Sequence, residues 1–197
     1  VSLDGGGVTL NITTASTSRF GTDMELRNGA VINGGSGMLG TYSGDDNTVL
    51  VTRMGTEWNN SSILRIGGLG KGVLRVADGG RVTADDWINT SGSVEVVGSG
   101  SQLEGSRYIG VGDNGVLSVA SGGHVTVSDQ VTVSSDGEVN LMITGDDSIE
   151  AGSDGTGDFV NHGTTRLVAD PGLASGNHTP VSVGNTSGTI SGSGTFE

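Results

Sequence analysis

The chain has 197 residues, among them 38 Gly, 2 Pro, no Cys and 4% aromatics, and it carries a formal net charge of −13. That charge, with nine basic residues of which Lys71 is the one Lys, excludes a phosphate-tracking surface for nucleic acid or an anionic membrane. The composition also rules out a disulfide framework and a collagen period, and no window is apolar for the length of a membrane span.

In chain order, residues 1–47 form an irregular opening. They contain a degenerate copy of the later repeat, "MELRNGAVI" (Met24 to Ile32), and the acidic pair Asp45–Asp46. The first residues, "VSLDGGGVTLNI", lack the basic start and apolar stretch of a signal peptide. Because the pattern opens midway and stops at "GSGTFE", a signal and an anchor are expected outside this segment.

Residues 48–143 carry a clear repeat. "TVLVTRMGTEW" (Thr48 to Trp58) aligns with "SVEVVGSGSQL" (Ser93 to Leu103) at a spacing of 45. Next, "LRIGGLGKG" is matched to "YIGVGDNG", placing Ile66 on Ile109 and Gly67 on Gly110. "GVLRVADGGRVT" from Gly72 then returns as "GVLSVASGGHVT" from Gly115, 43 residues later. A fading copy begins at "GEVNLMITG" (Gly137 to Gly145). Apolar centres fall at Leu74, Val82, Ile88, Val96, Leu103, Ile109, Leu117, Val125, Val131 and Val139, about six to eight residues apart with turn formers between most of them.

That cadence makes the long repeat two circuits. The expected fold is all-β, a right-handed parallel β-helix with three short strands per circuit and about 21–22 residues per circuit. A propeller blade of similar period would carry Trp-Asp or Gly-His signatures, which do not recur here, and strands joined by hairpins, whose Asn-Gly turns are scarce. Period-two alternation turns Leu74, Val76, Leu117 and Val119 inward and Arg75 and Ser118 outward. The pairs Gly79–Gly80 and Gly122–Gly123 mark sharp turns. Residues 144–197 read as fading circuits of the same solenoid.

The motif G-x-L-x-V-x-x-G-G-x-V, followed by G-x-V-x-V-x-G-x-G-S-x-L, resembles the repeats in passenger segments of bacterial autotransporters and related exported surface proteins. The likeness is best from Thr48 to Ile143, and the stretch from Asp158 to Val183 resembles passenger sequence too. It implies a β-helix exported to the bacterial cell surface or the extracellular space, and the lack of Cys agrees with export of an unfolded chain.

Candidate chemistry is sparse. The adjacent carboxylates Asp45–Asp46, Asp85–Asp86 and Asp146–Asp147 read first as exposed turn residues, since their spacings do not follow the repeat. Ca2+ is the cofactor they would suit, with Asp146, Asp147, Asp154 and Asp158 as the candidate ligands around "GSDGTGDFV". For a glycan, Trp87 with Asp85 and Asp86 is the candidate contact, the other rings Trp58, Tyr42 and Tyr108 being scattered along the chain. His124, His162 and His178 make no metal-ligand pattern, and "GGLGKG" lacks the continuation of a phosphate loop. The expectation is therefore a non-catalytic structural or adhesive segment. It would meet a host or neighbouring-cell glycan or protein, or associate with itself through solenoid ends or edges. The alternative is a carbohydrate-active β-helix, a polysaccharide lyase or glycan-binding module using Ca2+.

Overall fold

A computed structural model describes residues 1–12, 18–112, 114–143, 148–152, 157–169, 181–183, 190–191 and 195–197. Its strands sort into three parallel sheets of nine, eight and eight strands, each strand pairing with the one three places later in the chain. The chain is thus an all-β parallel solenoid, with no helix among the described residues. The strands of residues 1–47, irregular as their sequence is, belong to the same three sheets.

Alternation builds the core. In the strand Lys71–Ala77, Leu74 and Val76 have no exposed surface while Arg75 points outward. Val94 and Val96 lie on them in register, then Leu117 and Val119, then Val139 and Leu141. All ten predicted centres are buried. Each such side chain contributes about 1.5–3 kcal/mol on leaving water, so stability accumulates circuit by circuit.

Circuit length varies more than expected. Within the clear repeats Val51 pairs with Val76, Val76 with Val96, Val96 with Val119 and Val119 with Leu141, steps of 25, 20, 23 and 22 residues. Outside them Leu26 steps 25 to Val51 and Leu141 steps 26 to Leu167, so the mean rises to about 24. Part of the extra length is the six residues between the strands Gly37–Leu39 and Asp46–Thr52.

The repeat register also needs one correction. Leu64 lies beneath Ile88 and then Ile109, while Ile66 leads through Thr90 to Val111. The 45-residue spacing therefore persists through the third sheet. The two-residue shortening falls in the following turn, where "GGLGK" gives way to "GDN".

The turns from the first sheet to the second explain why the repeat is two circuits long. Three residues link the strands at Asn28–Ala30, Asp78–Gly80 and Ser121–Gly123, and there the first two have positive φ. Four link them at Arg53–Thr56 and Gly98–Ser101, and there the first and third do. The two corner types alternate up the rod, and a hydroxyl joins them. Thr56 Oγ1 accepts the Gly29 N–H at 3.0 Å, and Ser101 Oγ accepts the Gly79 N–H at 3.1 Å.

The Gly pair of each twelve-residue copy thus has two tasks. Gly79 supplies a φ of +87°. Gly80 has an ordinary φ, but a Cβ there would overlap the Val51 carbonyl of the circuit below. We expect Gly79→Ala to lose about 1–2 kcal/mol through backbone strain. Gly80→Ala should lose about 1–3 kcal/mol through overpacking. Urea denaturation of the two variants measures both, and a stability equal to wild type for Gly80→Ala would remove the close-approach account.

The first circuit is pinned by a polar chain at the same corner. The Asn28 amide donates to Asp4 Oδ1 at 2.6 Å, Arg27 Nε donates to Asp4 Oδ2 at 2.9 Å, and Arg53 Nη1 donates to Asn28 Oδ1 at 3.0 Å. The Asn28 amide, with Arg27 behind it, holds the Asp4 carboxyl below the ordinary aspartate value of 3.8. A lowered folded-state value adds stability above the unfolded pKa, and that stability disappears as pH falls through the folded one. Amide protection in Ser2–Asp4 should therefore fall on acidification below that ordinary value, and Asp4→Asn should remove the acid dependence from that strand.

Candidate functional site

The predicted glycan residues sit on the outer face of the third sheet and the bend that feeds it. That face carries two outward rows. One runs Trp87, Tyr108, Gln130, Asp158, and the other runs Arg65, Asn89, Gly110, Thr132, Val160.

Trp87 and Tyr108 are not scattered. They occupy neighbouring circuits with ring centroids 5.7 Å apart and planes 3° from parallel, and the Arg65 guanidinium carbon lies 6.0 Å from the Trp87 centroid on the circuit below. Such a stack runs along the axis, so both faces of Trp87 are taken and ring edges meet the solvent. The aromatics form a wall; a sugar ring stacking face-on would have to displace a neighbour.

At the bend, Asp86 accepts from Arg107 Nη1 at 3.2 Å, an exposed pair worth at most about 1 kcal/mol. Asp85 is exposed and turns instead toward a shallow groove on the second sheet, lined also by Thr83, Arg81 and Glu104. Arg81 donates to both carboxylate oxygens of Glu104, at 2.7 and 2.6 Å, and that hydrogen bonding raises the Arg81 pKa. The same outer face holds a side-chain ladder: Asn33 donates to Asn11, Asn59 to Asn33, and Thr83 to Asn59, at 2.9, 3.0 and 3.2 Å. His124 belongs to the next row on this face, two circuits above Arg81.

Of the proposed Ca2+ ligands, Asp146, Asp147 and Asp154 lie outside the described residues. Asp158 faces outward at the start of the strand Asp158–Asn161, in register with Gln130. Among the described residues no three His, Cys, Asp or Glu side chains come together as a metal centre. The other pair is divided: Asp45 Oδ2 accepts the Tyr42 N–H at 3.2 Å within its turn, and Asp46 opens a strand beside Lys71.

Sequence reasoning missed a groove of about 260 Å3 beside the aromatic wall, bordered by Arg65, Gly68, Asn89, Ser91, Gly112 and Ser134. Its floor is Gly110, where a Cβ would run into the Asn89 side chain. The available signal was the match of Gly110 to bulkier letters in other circuits, Asn89 below and Thr132 above.

The chain matches no known family model, no characterised protein and no solved structure.

Proposed function

We propose that the chain is a non-catalytic structural or adhesive segment of a secreted bacterial surface protein, akin to the autotransporter passengers its repeats resemble. It would present the outer faces of the rod to a neighbouring or host cell, to a glycan, or to another copy of itself. What carries this reading is how the outward arginines are used. Arg27–Asp4, Arg75–Glu95, Arg81–Glu104, Arg107–Asp86 and Arg166–Glu138 each join one circuit to the next. A lyase would need a cation free to take part in proton abstraction beside a substrate carboxylate. These five are engaged along the rod instead, where they offset charge in an acidic chain. Arg65, which is not so paired, has no acidic side chain among the described residues of its groove to hold Ca2+ beside a substrate.

The test has two arms. Beads coated with the protein should be retained on glycan-bearing cell surfaces, or on one another, above beads coated with an unrelated acidic protein. Incubation with acidic polysaccharide and Ca2+ should release no unsaturated product. Ca2+-dependent release of such product would replace this reading with the carbohydrate-active alternative.

A further inference from the structure

We infer that the groove beside Trp87 and Tyr108 binds a linear glycan carrying carboxylates, with Arg65 as the residue that pairs with them. The inference rests on the adhesive reading and names its partner chemistry.

The groove is distinguished first by charge. The chain as a whole carries −13, yet among the described residues no acidic side chain borders this groove. Arg65 is exposed at its edge and has no carboxylate partner among the described residues, unlike the five arginines paired along the rod. Trp87 steadies the guanidinium through its π system, which leaves the planar fork of N–H donors for a carboxylate.

The lining decides the kind of ligand. Asn89, Ser91 and Ser134 offer amide and hydroxyl groups, the floor is glycine, and among the described residues no large apolar side chain borders the groove. A peptide would want apolar pockets or a free strand edge. Here the strands beneath the groove are paired on both sides, so strand addition is blocked. A hydroxyl-rich chain laid along the axis meets a new polar row every 4.8 Å or so, the spacing of the circuits.

The probe is a set of oligogalacturonates titrated calorimetrically into the protein at low salt, with neutral malto-oligosaccharides alongside. Binding should be confined to the uronates and should weaken as salt rises. Arg65→Gln should lose roughly tenfold or more, as a charge-assisted hydrogen-bonded pair predicts. Arg65→Lys should keep part of the affinity, because the charge remains without the fork. Arg75→Gln, which removes the same charge from the first sheet, should bind like wild type. Circular dichroism melts matching wild type confirm that each variant folds. Absence of uronate binding, equal binding of the neutral sugars, or equal losses in Arg65→Gln and Arg75→Gln would overturn the inference. Beads that adhere to cells while the protein ignores oligogalacturonate would leave the adhesive reading standing and this one refuted.

Discussion

Replacing Trp58 by Ala should cost about 3–5 kcal/mol, the largest loss expected from any single substitution considered for this chain. Trp58 has no exposed surface and stands between Ile32 and Val82 in an otherwise aliphatic inward column. Phe20 meets it edge to face at 5.1 Å, and Gly37 makes room for it, since a Cβ there would come within 2.6 Å of its Cζ2. The circuits below and above cannot close over so large a void without moving backbone. The indole N–H finds no acceptor among the described residues, and an unpaired buried donor costs about 1–3 kcal/mol. Trp58→Phe should therefore cost far less than Trp58→Ala, because part of the lost packing is offset by removing that donor. A solenoid need not melt as one unit, so hydrogen exchange is the informative measurement. In Trp58→Ala the strands Val31–Gly34 and Glu57–Asn60 should lose protection while Val116–Ala120 keeps it. Uniform loss along the chain would mean that the circuits are more tightly coupled than this account allows.

Excising two circuits should leave a more stable protein than excising one. Removing residues 72–114 joins Lys71 to Gly115, which stands where Gly72 stood, and preserves the alternation of corner types. Removing residues 73–92 joins Gly72 to Ser93 and takes out fewer residues. It also sets the corner Gly98–Ser101 directly on Arg53–Thr56, two of the same type. Ser101 would then lose Gly79, whose N–H it accepts at 3.1 Å, and two four-residue corners would compete for one space. Ser101 keeps the bond it donates to the Val97 carbonyl, so we expect the single-circuit deletion to be the less stable by at least the roughly 0.5–1.5 kcal/mol of one lost hydrogen bond. Thermal melts of both variants decide the matter: a single-circuit deletion at least as stable as the double would show that corner type does not set the repeat.

The architecture was legible because its determinants are local. Period-two alternation marks Leu74 and Val76, glycine marks the corner, and the copy at Gly115 shows which letters geometry requires. The candidate site was much less so. Trp87 and Tyr108 are 21 residues apart, one circuit at that level, whereas other circuits take 25 or 26. Aligning by the two-circuit repeat sets Trp87 against Gln130 and passes over Tyr108 between them. Nor could sequence separate the tasks of Gly79 and Gly80, since one answers to its own φ and the other to the Val51 carbonyl, a neighbour brought close only by the completed circuit. Arg65 illustrates the same limit: its freedom depends on which carboxylates the turns deliver nearby.

The direction of the hydrogen bonds has a consequence for how the rod yields. In all three sheets they run between circuits, parallel to the long axis, so bending strains many of them together. A pull on one terminus meets only the outermost circuit. The chain should peel from that end, each tooth of a force–extension sawtooth releasing about 24 residues, or roughly 80 Å of contour at about 3.3–3.6 Å per residue. Arg75–Glu95 and Arg81–Glu104, which bridge successive circuits, would part as those circuits come away. A filament of this design is stiff against sideways flow and gives way by fraying, which leaves the circuits behind the front intact.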